Sequence, residues 1–202
     1  MSSPRTAVRQ YWVAIRALLI FTVVLGIGYT AVMTGIGQLA LPYQANGSVI
    51  RVGDATVGSA LIGQGFTDKK GKALPQWFQS RPSAAGTGYD ASTSSGSNYG
   101  PENADLIAAV KERKAAIAKL DGVSASSIPA DAVTASASGL DPHISPEYAL
   151  LQVDRVAEVR SLPVAAVRKL VEDQIQAPDL GYLGQSRVNV LELNIALATL
   201  KG

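Results

Sequence analysis

The 202 residues contain no cysteine and a single histidine, His143. This excludes a disulfide scaffold, a zinc cluster of Cys and His, thiol catalysis and any site needing two imidazoles. Charge is also sparse, at 17% of residues against roughly 25% in a typical soluble domain. Apolar residues reach 47% and the mean hydropathy is +0.16, so a strongly apolar segment raises the average. No acidic residue precedes Asp54, whereas Arg5, Arg9 and Arg16 all precede Leu41. The first 41 residues therefore carry +3, and the other 161, with 15 basic and 16 acidic groups, carry −1. The pI of 8.9 belongs to the N-terminal segment. A nucleic-acid binder needs its positive excess on the folded body, where it neutralises phosphates, so no nucleic-acid partner is expected.

From Ala17 to Ile50 there is no Asp, Glu, Lys, Arg or His, and the densest apolar run, Ala17 to Gly37, has 21 residues. At about 1.5 Å per residue that helix is about 32 Å long, matching the ~30 Å hydrocarbon core of a bilayer. A cleaved signal peptide has an apolar core of only about 7 to 15 residues followed by small residues at the cleavage point. Here the exit reads Gln38-Leu39-Ala40-Leu41-Pro42, so a retained single-pass anchor in membrane lipid is expected. Three arginines before the span and only Arg51 soon after it place the N-terminus in the cytoplasm and the body outside. The segments expected are a cytoplasmic 1–14, a transmembrane helix over 15–38 and an extracytoplasmic α+β domain over 39–202, in the cell inner or plasma membrane. Thr22, Gly26, Thr30 and Thr34 recur every fourth position. Such a small-residue stripe suits docking of a partner helix, with hydroxyls bonding across the contact; it is equally the ordinary composition of a membrane helix.

In the body, Ser48 to Arg51 and Gly58 to Gln64 read as short strands. Gln79 to Pro101 has a linker-like composition of Ser, Gly and Tyr, but Trp77, Phe78, Tyr89 and Tyr99 lie in or beside it, which predicts an ordered long loop. A helix is predicted from Pro101 as first turn to Asp121-Gly122, with Leu106, Val110, Ile117 and Leu120 on one face. Ser145 as N-cap and Pro146 at the first position open a second helix running through Val156. A third starts at Ser161 to Pro163 and continues through Val171. Arg187 onward alternates as a strand before a short helix to Leu200. Irregular alternation of strands and helices gives the class α+β.

The search for chemistry returns mostly absences. There is no G-x-S-x-G and no S-x-x-K. Gly65 to Gly71 before Lys72 has five residues between the glycines instead of four, and Ala73 stands where a phosphate loop needs Ser or Thr. The densest polar run, Asp131 to Glu147, gathers Thr134, Ser136, Ser138, Asp141 and Ser145 around His143. A Ser-His-Asp hydrolase using Ser138 or Ser145 can be drawn from these groups. However, Asp141 and His143 are separated only by Pro142 and no oxyanion hole is evident, so a hydrogen-bonded structural loop is the favoured reading.

Four blocks of residues resemble a known family. They are Gly58-Ser59 with Leu61-Ile62-Gly63-Gln64 and Phe66; Phe78, Arg81-Pro82-Ser83, Tyr89-Asp90 and Gly96-Ser97-Asn98 with Gly100-Pro101; Ile128-Pro129, Asp131, Val133 to Ser136 and Ser138 to Pro146; and Val188-Asn189-Val190 with Leu191, Leu193 and Asn194. Together they resemble the C subunit of the Kdp potassium-transporting P-type ATPase over nearly the whole chain. Departures are Ser95 and Ala137 where glycine is usual, Tyr99 where leucine is and Ser186 where proline is. The resemblance implies a non-catalytic subunit of a high-affinity potassium import complex. Its partners would be a potassium-carrying A subunit, an ATP-hydrolysing B subunit and a small F subunit. ATP and Mg would then belong to the B subunit and K+ to the A subunit, with no metal or catalytic residue on this chain. Consistently, the chain has no Asp-Lys-Thr-Gly-Thr motif. Family members are credited with raising the B subunit's ATP affinity; an alternative role is a cap over the ion entrance of the A subunit. The resemblance also marks Arg81, Ser97, Asn98, Thr134, Ser136, Ser138, Asp141, His143 and Asn189 as family-motif loop residues, structural or at an interface.

Overall fold

The computed structural model describes residues 4–200. Residues 1–3 and 201–202, the outer ends of the expected segments 1–14 and 39–202, lie outside the described residues. The chain divides into two compact units, residues 1–49 and 50–202.

The first unit is dominated by one helical run. It comprises α1 (Pro4–Phe21), a π-helical stretch (Thr22–Tyr29) and α2 (Thr30–Ala40). The apolar part, Ala7–Ala40, is 34 residues long and none of its most apolar window is buried. Leu18, Phe21 and Ile27 are each more than half exposed, as suits a helix whose solvent is lipid. The helical run itself continues past residues 15–38 at both ends, because nothing in Arg5 to Arg16 or at Leu39-Ala40 breaks a helix. It stops at Leu41, whose φ of −136° leaves the helical region before Pro42 opens α3 (Pro42–Ala45). Asn46 ties this exit down through bonds to Gln38 Oε1 (3.0 Å) and the Pro42 carbonyl (2.7 Å).

The second unit is an α+β body. Its two-stranded sheet pairs β1 (Val49–Val52) with β2 (Ala55–Ser59). The strand predicted over Gly58 to Gln64 is thus displaced. Ser59 Oγ accepts the Leu61 N–H (3.1 Å) and its carbonyl the Ile62 N–H (3.3 Å), closing a turn that ends the strand early. Next come α4 (Ala104–Asp121), α5 (Ala130–Val133), β3 (His143–Ile144), α6 (Pro146–Leu151), α7 (Val153–Arg160), α8 (Val164–Asp173), β4 (Ile175–Gln176), β5 (Arg187–Asn189) and α9 (Val190–Thr199). The helix predicted from Pro101 begins three residues later. Asn103 Oδ1 caps it by accepting the Asp105 and Leu106 N–H groups, and Gly122 ends it at φ 67°. Ser145 caps α6 as predicted, accepting the Tyr148 N–H at 3.1 Å. The predicted single helix through Val156 is divided at Gln152, between α6 and α7.

The second sheet has the order β3-β5-β4 and is antiparallel, with His143 opposite Asn189 and Ile175 opposite Val188. Helix α8 packs on α6, α7 and α9. Phe78, Val153, Val156, Val167, Val171, Val188, Leu193 and Leu197 are fully buried between these elements. Burying each such side chain is worth about 1.5–3 kcal/mol. The stretch from Gln79 to Pro101, which has little regular structure, is packed onto this core and is not a linker. Phe78 is fully buried and Tyr89 half-buried, whereas Tyr99 is exposed.

Candidate functional site

Two largely irregular segments, 79–96 and 131–145, lie against each other and exchange hydrogen bonds outside any strand pairing between them. The Ser136 N–H donates to the Pro82 carbonyl (3.0 Å), and the Ser138 carbonyl accepts the Ser95 N–H (3.0 Å) and the Ser94 hydroxyl (2.9 Å). Ser83 organises its own turn by accepting the Ala85 and Tyr89 N–H groups while donating to the Gly139 carbonyl at 2.6 Å. Gly63 N–H reaches the Leu140 carbonyl (2.8 Å), so the first family block is tied to the third. Two glycines permit this approach. Gly139 has φ 69°, and a Cβ there would lie 2.6 Å from the Ser95 carbonyl oxygen; a Cβ on Gly63 would lie 2.6 Å from the Asp141 carbonyl oxygen and strike the Tyr89 ring. Ser95 and Ala137, the departures from glycine, do not have positive φ, so a side chain is accommodated at both.

At the centre, Asp141 Oδ2 accepts from Arg81 Nη1 (3.1 Å), while Oδ1 accepts the His143 backbone N–H (3.0 Å) and lies 3.3 Å from His143 Nδ1. Arg81 Nη2 also reaches the Thr134 carbonyl at 3.4 Å. Partial burial pushes the Asp141 carboxyl up. The hydrogen bonds from the His143 ring and backbone and the charge of Arg81 outweigh that, holding it below the usual 3.8. Tyr89 donates its hydroxyl to the Arg81 carbonyl (2.8 Å); burial, opposed by Ser80, pushes its pKa up to about 12. Arg81, Asp141 and His143 open onto a groove of about 630 Å³ shared with Asp131, Glu147 and Arg187.

The sequence-predicted residues separate into distinct places. Thr134 donates its hydroxyl to the Ala130 carbonyl (2.8 Å). Ser136 is buried and accepts the Gly139 N–H (3.0 Å), and its hydroxyl pairs with that of Ser138 (3.2 Å), which in turn accepts the Leu140 N–H. Ser145 donates to Asp131 Oδ1 (2.9 Å). Among the described residues, neither Ser138 nor Ser145 bonds to His143, the contact a serine hydrolase needs. Asn189 lies outside the groove: its amide donates to the Ala60 carbonyl (2.9 Å) while its oxygen caps α9 at the Leu191 and Glu192 N–H groups. Ser97 is half-buried and Asn98 is exposed at φ 52°; neither makes a side-chain hydrogen bond among the described residues. Thr22 and Gly26 fall in the π-helical stretch, with Thr30 and Thr34 just after it. A four-residue step overshoots the 3.6-residue α-turn but not the wider π-turn, so the two drifts oppose each other and the stripe stays nearly straight.

Sequence reasoning missed the polar side chains that hold Pro75 to Gln79. Gln152 is fully buried and pairs with both backbone groups of Gln79 (2.6 and 3.2 Å). Asn194 does the same for Phe78 (2.9 and 3.0 Å). Buried Arg155 donates to Asp121 (2.6 Å), Gln152 (2.8 Å) and the carbonyls of Pro75 and Trp77. A polar residue inside an apolar helical face, as in Val153 to Val156 or Leu191 to Leu197, was the signal available.

Comparison with known proteins decides the family. A family model described as the K+-transporting ATPase, c chain, KdpC, matches residues 11–199. The chain belongs to the KdpC family. The potassium-transporting ATPase KdpC subunit of Caulobacter vibrioides is 56% identical over 180 residues, covering 88% of this chain and 87% of its own length. That of Beijerinckia indica is 52% identical over 181 residues, covering 90% and 89%. The subunit of Mycobacterium tuberculosis is 49% identical over 190 residues, covering 94% and 97%. KdpC similarity therefore spans the apolar helix and both interlocked segments.

Proposed function

We propose that this chain is the accessory C subunit of an ATP-driven potassium pump, anchored in the membrane by one helix and performing no bond chemistry itself. The observation that carries this reading is the family match over residues 11–199, which includes the membrane-length helix as well as the body. By family resemblance the partners are a potassium-carrying A subunit, an ATP-hydrolysing B subunit that holds ATP and Mg, and a small F subunit. Residues 1–14 lie in the cytoplasm, 15–38 span the bilayer and 39–202 lie outside, because the basic residues are concentrated before the span. The stripe of Thr22, Gly26, Thr30 and Thr34 is the face offered to a partner helix. The motif residues around Arg81, Asp141 and His143 keep the loop surface in one shape for subunit contact.

This orientation bears on the credited effect on ATP affinity. A body outside the membrane does not touch a cytoplasmic nucleotide, so any such effect travels through the span as a shift in a conformational equilibrium of the pump. A cap over the ion entrance of the A subunit is the second reading, favoured by that placement. With a charge of −1 beyond Leu41, such a cap acts by shape more than by concentrating cations. Removing this chain from cells that express the remaining subunits tests the proposal. ATP-driven potassium uptake is expected to be lost and restored by re-supplying the chain; uptake at the normal rate without it defeats the reading.

A further inference from the structure

Along α4 the body carries a groove that belongs to neither the core nor the Arg81-Asp141-His143 site. Arg113, Ala116, Ile117 and Leu120, spaced i, i+3, i+4 and i+7, present one helical face to it. The cavity measures about 630 Å³ and shares Gln79, Ser80, Pro82 and Arg113 with a second of about 370 Å³ that continues to Gly88 and Tyr89. Lys72, Arg113 and Lys119 line the first cavity, and no Asp or Glu lines either. Three cations are thus gathered on a body whose net charge beyond Leu41 is −1. Acids close in sequence are engaged elsewhere: Asp121 pairs with Arg155 at 2.6 Å, and Asp68 accepts the Lys70 and Lys72 backbone N–H groups. Among the described residues Lys72 and Lys119 form no ion pair, and Arg113 uses one nitrogen on the Val133 carbonyl (2.9 Å).

Tyr148 of α6 is an independent sign of a ligand. It lines the same cavity and is only 3% exposed, yet its hydroxyl has no hydrogen-bond partner among the described residues. A tyrosine buried so deeply normally bonds its hydroxyl within the protein. This hydroxyl is not sealed from solvent, so the cavity is where its partner must come from. Burial, reinforced by the Asp121 charge, holds the phenol far above its ordinary value, which keeps it a donor. Two ammonium groups, a guanidinium and a phenol all offer hydrogens, the complement of carboxylates.

We propose that this groove receives an acidic polypeptide segment of a partner subunit, whose carboxylates meet Lys72, Arg113 and Lys119 and whose apolar side chain rests between them on Ile117 and Leu120. Because the segment is taken from the same assembly, the inference rests on the subunit reading above and names the chemistry of one of its contacts. Spacing favours a polypeptide. Arg113 and Lys119 stand about 9 Å apart along the helix axis, with apolar surface between them. Inorganic phosphate or a lipid headgroup concentrates its charge at one point and meets one of the two. A segment with acids flanking an apolar residue meets both, and the second cavity lets its chain continue. Complementary charge of this kind fixes the partner and its register.

The test uses the detergent-solubilised pump purified through a tag on the full chain, with a photoreactive phenylalanine analogue in place of Ala116, which is exposed in the groove. A cross-link to an Asp- or Glu-bearing segment of another subunit, mapped by mass spectrometry, is expected. Its yield should fall about tenfold in the double variant Lys72→Glu, Lys119→Glu, and also in the unsubstituted groove at about 1 M salt, where charges are screened within about 3 Å. Both lysines are exposed, so thermal unfolding of the double variant should match wild type. Tyr148→Phe removes only a hydroxyl that bonds nothing within the chain; the inference predicts about a threefold loss of yield, a structural role none. A cross-link formed only to lipid or within this chain overturns the inference. So does a cross-linked segment without acids, or an equal yield in the double variant. A tagged chain that retains no other subunit defeats the subunit reading itself, whereas retention without the cross-link defeats only the groove's assignment.

Discussion

The helical layer of the body and the loop layer bound to it are stabilised differently. In α6 to α9 the stabilising term is apolar burial: Val153, Val156, Val167, Val171, Leu193 and Leu197 are fully buried at helical spacings. In segments 79–96 and 131–145 it is hydrogen bonding, through Arg81, Ser83, Ser136, Asp141 and Ser145. Apolar burial is non-directional and tolerates repacking; a hydrogen-bonded loop has one geometry, and each group left unpaired is costly. The second arrangement suits a subunit whose surface must keep a fixed shape without catalysing anything.

The ion pair of α7 with α4, which also holds the Pro75–Trp77 stretch leading into the loop layer, gives the largest expected effect. Arg155→Ala leaves Asp121 buried without its cation and the Pro75 and Trp77 carbonyls without a donor, and should cost about 3–5 kcal/mol in denaturant unfolding of the full chain. A cost below about 1 kcal/mol would mean that Arg155 does not hold α4 and the Pro75–Trp77 stretch to α7. Within the helical layer, Leu193→Ala removes a fully buried side chain and should cost about 3 kcal/mol, with little change in hydrogen exchange of the loops. Within the loop layer, Gly139→Ala sets a Cβ against the Ser95 carbonyl at φ 69° and should cost about 2 kcal/mol. Its sharper signature is faster hydrogen exchange confined to the two segments. Ser145→Ala removes both the α6 cap and the hydroxyl's bond to Asp131, leaving the backbone N–H bond to that carboxylate, for about 1 kcal/mol.

The smallest effect is pH-dependent. Because the Asp141 carboxyl is held below 3.8, the stability it contributes is complete above that value and is lost as pH falls through the lowered one. Asp141→Asn should therefore flatten the acid limb of the unfolding profile below pH 3.8. An identical acid limb in the variant would remove Asp141 from the account of the loop layer.

This division also marks what was legible in the sequence. The membrane-length helix, the Ser145-Pro146 start of α6, the valines of α8 and the switch from strand to helix near Asn189 could be read because burial, capping and periodicity are local signals. The early end of β2 could not, since it depends on the Ser59 hydroxyl reaching a turn hidden within an apolar run. Nor could the roles of Gln152, Asn194 and Arg155, whose partners lie 73 to 116 residues away for the two amides and 80 for the Pro75 contact. His143 and Asp141 were recognised as neighbours, but the pairing with Arg81 is a contact across 60 residues. The hydroxyls near His143 in sequence turned out to cap backbone turns and bind Asp131 instead of the ring. Side-chain bonds to distant backbone leave no periodic trace.

In the proposed topology the body stands outside the membrane and serves the pump without touching its nucleotide. Protease applied to sealed cells, and to inverted vesicles made from them, tests it most directly, read by antibody to the body. Cleavage in intact cells and protection in inverted vesicles is the predicted result. Cleavage only in inverted vesicles would place the body in the cytoplasm and contradict the account.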